Sequence, residues 1–133
     1  MKIEDLEGVG PVYGEKLRAA NVRTTDDLLA AAGPAAGRHA LAESTGISAD
    51  LLLRWANHAD LYRISGIGSE YADLLEASGV DSCPELARRN AANLATTMAE
   101  ANAARQLVRR LPTEEVVADW IAQAAKLPKV VTH

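Results

Sequence analysis

The sequence predicts an all-α fold made of two similar units. Of its 133 residues 26 are Ala and 16 are Leu, both strong helix formers. Aromatic residues make up 4% and Phe is absent, so the β-branched and aromatic surface that a sheet requires is in short supply. The chain also matches itself. Shifted by 58 positions, Leu6-Glu7-Gly8-Val9-Gly10 falls on Ile64-Ser65-Gly66-Ile67-Gly68, and Tyr13, Leu17, Ala19, Val22 and Leu28 fall on Tyr71, Leu75, Ala77, Val80 and Leu86. Beyond residue 48 the offset becomes 65, which puts Ser48 on Thr113 and Trp55 on Trp120. Residues 3–60 and 61–127 therefore read as two repeats of one compact domain spanning 1–133. Residues 128–133 read as a short frayed C-terminal tail.

The elements follow from local signals. A first helix opens after Gly10 with Pro11 at an early helical position. Tyr13, Leu17 and Ala20 form its apolar face. It ends near Asn21, aligned with Gly79, both suited to a left-handed cap. Thr24 with Asp27, and Ser82 with Glu85, are capping-box patterns for the second helix of each repeat. Gly33-Pro34 closes that helix in repeat one and opens a third over 35–44. Thr45-Gly46 breaks the third, and Ser48 caps a fourth over 49–60. In repeat two an Ala-rich helix is expected over 91–110, stopped by Pro112, and Thr113 caps a last helix over 114–126.

Charge and cysteine content bound the function. Fourteen Lys or Arg against 18 Asp or Glu give a net charge of −4, which argues against a strongly basic nucleic-acid binder. One cysteine excludes a disulfide framework within one chain. Apolar runs are too short for a membrane span, and the acidic N-terminus has no signal-peptide core. A soluble cytoplasmic protein is expected.

The repeated apolar-x-Gly-apolar-Gly segment, followed each time by a helix with Tyr-x3-Leu-x4-Val spacing, resembles the helix-hairpin-helix motif. Two copies resemble a tandem helix-hairpin-helix domain, and the whole-chain pattern resembles the bacterial family of unknown function DUF4332. The resemblance implies duplicated helix-hairpin-helix units with additional helices, related by an approximate two-fold axis. Glycine permits positive φ in a tight turn, and the amides after the second Gly have no partner within their helix and carry the positive end of its dipole. In members that bind nucleic acid, such hairpins grip the sugar-phosphate backbone. The resemblance thus makes Gly8, Val9, Gly10, Gly66, Ile67 and Gly68 phosphate-facing candidates, with Lys16 and Arg18 as counter-charges. Gly10 and Gly68 are both expected to need their missing Cβ for the turn. One departure weighs against binding: Gly68 is followed by Ser69 and Glu70, with Asp73 a turn on, where binding members carry Lys or Arg. A carboxylate there satisfies the dipole itself and repels phosphate.

Other features are weaker. Arg105, Arg109 and Arg110, spaced i, i+4, i+5, share one face of the 91–110 helix, with Arg88 and Arg89 expected nearby, giving a candidate partner surface or a solvated face. Trp55 and Trp120 occupy equivalent positions and read as core, with an exposed hot spot as the alternative. Cys83 has no assignable His partner, and His39 and His58 lack companions at metal-ligand spacing. No P-loop, nucleotide fingerprint or nucleophile elbow is present. No enzyme, cofactor or metal is therefore expected. The function expected is a non-catalytic interaction module that holds an unidentified protein partner or its own copy. Weak, sequence-independent binding of the DNA backbone is the alternative.

Overall fold

The computed structural model describes residues Met1–His133 and is all-helical: eight α-helices and no strand. The chain divides into two compact units, one of Met1–Asp60 with Lys129–His133, the other of Leu61–Pro128.

In the first unit a single 3-10 turn, Ile3–Asp5, precedes helices α1 (Gly10–Ala19), α2 (Thr25–Ala32), α3 (Ala35–Thr45) and α4 (Ala49–Leu61), the last of which ends one residue into the second unit. The N-terminal segment is tied to the α1–α2 loop: Ile3 N–H donates to Arg23 O at 2.9 Å and Thr25 N–H to Met1 O at 3.0 Å. Asn21 has φ +67 just past α1, the left-handed cap read from its sequence. Thr24 and Asp27 form the complete capping box of α2. Gly46, at φ +74, ends α3. Leu17 and Gly14 are the buried residues of α1. Tyr13, expected on its apolar face, is 36% exposed.

In the second unit the helices are α5 (Ser69–Ala77), α6 (Cys83–Ala87), α7 (Ala91–Arg105) and α8 (Glu114–Lys126). Its core gathers Leu74, Leu75, Val80, Leu86, Leu94, Met98, Val117 and Trp120. Helix α7 packs on α5 and α8, and α6 packs on α8.

Two sequence expectations fail. The 91–110 helix stops at Arg105, because Gln106 turns left-handed (φ 51, ψ 48). The Asn102 carboxamide then holds Val108 by both backbone groups, accepting from its N–H at 2.9 Å and donating to its carbonyl at 3.1 Å. This side chain offers the backbone an alternative to another helical turn. The tail also does not fray. Leu127 and Pro128 stay with the second unit, where Arg63 donates to Pro128 O at 3.0 Å. In the first unit Val131 is buried, and Thr132 N–H donates to Gly33 O at 2.9 Å.

Candidate functional site

Each glycine segment closes a tight turn. Val9 N–H donates to Leu6 O at 3.1 Å and Ile67 N–H to Ile64 O at 3.2 Å. Gly8 and Gly66 carry the positive φ, at +89 and +99. A Cβ on Gly8 would stand 3.3 Å from Trp55 Nε1, and one on Gly66 would stand 3.0 Å from Trp120 Nε1. The tryptophans are buried, as the core reading expected. Each also meets the tyrosine that follows its hairpin: Tyr13–Trp55 ring centroids are 5.2 Å apart and Tyr71–Trp120 centroids 5.1 Å. Gly–Trp–Tyr thus forms one packed corner in each unit.

Four sequence-named candidates change meaning. Val9 and Ile67 are buried and their amides are engaged inside the turn, so neither faces a ligand. Gly10 has φ +65, but Gly68 is extended (φ −104, ψ −169) with open space where a Cβ would stand. Only Gly10 of that pair is held where glycine is favoured. The guanidinium of Arg18 pairs with the Glu4 carboxylate through both Nε and Nη2, the latter bond at 2.6 Å. Hydrogen bonds from that guanidinium, joined by the Glu4 backbone, hold the Glu4 carboxyl below its ordinary value, and the same pairing raises Arg18. Arg18 is thus already paired, and a phosphate would have to compete with Glu4 for it.

The N-termini of α1 and α5, like that of α3 with Pro34, begin at an N-cap residue without a side-chain cap. Their N-cap residues, Val9 and Gly68, supply no side-chain acceptor, whereas Thr24, Ser82, Asn90 and Thr113 cap α2, α6, α7 and α8. Pro11 removes one amide from the first turn of α1. A profile of the family described as Domain of unknown function (DUF4332) matches residues 7–127, so Gly8–Gly10 and Gly66–Gly68 both lie within the match.

The chain belongs to that family. No curated protein and no solved structure matches it. In this DUF4332 chain the second glycine turn has a support that the sequence did not flag. Gln123, one turn beyond Trp120 on α8, accepts from Ser65 N–H at 2.9 Å and donates to Ser65 O at 3.3 Å. Asp119 orients it by accepting from Gln123 Nε2 at 2.9 Å. A glutamine one turn from an aligned tryptophan is too common to carry a signal by itself.

The first glycine turn and the start of α1 expose apolar Val12 and Tyr13 alongside charged Glu7, Glu15 and Lys16. Val12 is 68% exposed, beside Tyr13. Lys16 lies with its Nζ 6.0 Å from the Tyr13 ring centre. It also borders a shallow groove of about 480 Å³ lined mostly by small residues: Ala19, Ala20, Ala31, Gly37 and Ala40. The arginine face expected from Arg105, Arg109 and Arg110 does not form. Arg105 ends α7, and the other two lie in the loop beyond it, where Arg110 O accepts from the Tyr71 hydroxyl at 3.0 Å. Each unit holds seven basic and nine acidic residues, so neither is a basic half. No three His, Cys, Asp or Glu side chains are grouped to hold a metal ion, and no helix is long and apolar enough to cross a membrane. Cys83 is buried in the first turn of α6.

Proposed function

We propose that this DUF4332 chain is a non-catalytic interaction module made of two copies of a helix-hairpin-helix unit, and that it holds a protein partner through the rim of its first hairpin. The paired positive φ values at Gly8 and Gly66 and the paired Trp–Tyr corners support the duplication. The exposure of Val12 carries the functional reading. An apolar side chain stands beside the amides that a phosphate would approach, and covering its exposed part contributes about 1 kcal/mol of transfer free energy. Arg18 is paired with Glu4, so Lys16 is the sequence-named cation without a carboxylate partner at that turn. The 133-residue chain as bait should retain a protein partner after nuclease treatment and in moderate salt, and Val12→Asp should release it. Recovery of nucleic acid alone, or no effect of Val12→Asp, would sink the reading.

A second reading, contact with the DNA backbone, is favoured by the absent N-cap acceptors at α1 and α5. With Lys16 as the main counter-charge, the log–log salt slope should be about −1. Fluorescence anisotropy with a labelled duplex at low salt tests it. Lys16→Glu should abolish binding, and Glu70→Gln should strengthen it by relieving the second hairpin.

A further inference from the structure

The groove that Lys16 borders lies within the first unit, between α1 and α3. Its origin is in the packing of α3. That helix rests on α2, and Gly37 approaches so closely that a Cβ there would stand 2.2 Å from Ala31 O. Arg38, on the same helix, is buried and donates to Ala32 O at 3.1 Å and Gly33 O at 3.0 Å, at the end of α2. These contacts commit α3 to α2, and α1 and α3 are left apart. The second unit packs differently. There the third helix, α7, lies against the first, α5, and brings Leu94 and Met98, both fully buried. The only apolar side chain that α3 buries is Leu41. Ala40 and Ser44 beside it are exposed, as is Ala19 on the α1 side. Where the second unit closes its first helix on its third, the first unit leaves about 480 Å³ of open space lined by small side chains. Lys16 is the one charged residue lining that space, and no carboxylate of the chain pairs with it.

We propose that this groove is the docking site of a partner protein's amphipathic helix, which presents aliphatic side chains to Ala19, Ala40 and Leu41 and a carboxylate to Lys16. Small lining residues let a helix axis approach closely, so the longer side chains of the incoming helix reach Leu41, the mode in which an amphipathic helix lays its apolar face into a groove. Lys16 supplies the selectivity: an unpaired cation on an otherwise uncharged lining attracts an acidic residue and repels a basic one. A DNA duplex fits less well, because one lysine neutralises one phosphate and the alanine walls offer a phosphate no donor. The site does not involve Val12, so it goes beyond the protein reading above.

The probe is a displayed library of amphipathic helices, randomised on the apolar face and at the flanking positions, with the 133-residue chain as target. Selected peptides should share Leu, Ile or Met with Asp or Glu at one fixed helical spacing. The same library selected on Lys16→Glu should return Lys or Arg at that position. A labelled peptide from the first selection should shift the backbone amides of Ala19, Ala40 and Ser44, and its binding to Lys16→Glu should be weaker by about tenfold or more. Ala40→Trp, at an exposed position, should fill the groove and abolish binding, with cooperative thermal unfolding as the check that it folds. Val12→Asp should leave peptide binding unchanged, which separates failure of this proposal from failure of the hairpin reading. No selected peptide, selected peptides without a fixed acidic position, or amide shifts confined to other residues overturn the proposal. A labelled DNA duplex that binds through Lys16 where no peptide does overturns it as well.

Discussion

The indole Nε1 of Trp120 lies 3.0 Å from the point where a Cβ on Gly66 would stand, and Trp55 meets Gly8 in the same way at 3.3 Å. Gly8 and Gly66 are thus constrained twice. Their positive φ disfavours a side chain, and the buried indole from the last helix of the unit fills the space that a side chain would need. The same tryptophan fixes the tyrosine after the hairpin, so one corner positions the turn and the start of the helix that follows it.

Gly66 and Gly68 should therefore separate in a substitution test. Gly66→Ala is expected to cost about 1–3 kcal/mol, from its positive φ and the indole contact. Gly68→Ala, in extended backbone with open space, is expected to be neutral or to stabilise by about 0.4–1 kcal/mol through the unfolded chain. Urea unfolding of both variants measures the difference. Equal losses would mean that Gly68 is strained as well.

The two corner tyrosines should also differ. Tyr71 donates its hydroxyl proton to Arg110 O, and Tyr71→Phe should cost about 0.5–1.5 kcal/mol. Tyr13 makes its ring contact with Trp55 without that tether, and Tyr13→Phe should stay within about 0.5 kcal/mol of wild type. Thermal unfolding of the pair tests whether the loop after α7 is anchored by the hairpin helix.

The Glu4–Arg18 pair predicts a pH dependence. The folded carboxyl lies below its ordinary value near 4.5, so its contribution is present above that pH and is lost as pH falls through the lower folded value. The Tm difference between wild type and Glu4→Gln should be visible at neutral pH and close in the acid range. Added salt should shrink it at neutral pH, because both side chains are solvent-accessible. A difference that widens on acidification would reverse the assignment.

Asn102→Ala removes both bonds to Val108. It should cost about 1–3 kcal/mol, as two neutral hydrogen bonds at a largely buried residue. Amide exchange at Val108 should accelerate first. Unchanged protection there would show that the loop is held by packing alone.

Much of the helical layout was legible because its signals are local. A capping residue, a left-handed Asn or Gly and a proline each act within a few residues, and Thr24, Asn21 and Gly46 do in the fold what they announce in the sequence. The candidate site was less legible. Arg18 was readable as a cation on α1, but Glu4, 14 residues away, neutralises it. Val9 was readable as part of the turn, but its amide is used within that turn. The 91–110 reading failed because Ala-rich composition reports helix propensity, whereas Asn102 and Gln106 decide where the propensity is overruled.

By itself the sequence determined the all-helical class, the two positive-φ glycines at Gly8 and Gly66 and most helix ends, because propensity, capping and glycine φ preference are properties of short segments. Tertiary structure alone decided which polar groups remain available and where the last five residues go. Ala35 and Thr132 are 97 positions apart, and no local preference of Val130-Val131-Thr132 points to the start of α3. Their place is set by groups that only the folded chain brings together: an unsatisfied first amide on α3, carbonyls at Ala32 and Gly33, and a buried Arg38 that binds those carbonyls and Thr132 O at once. Leaving such groups unpaired in a buried site costs more than ordering a short tail, so the tail docks.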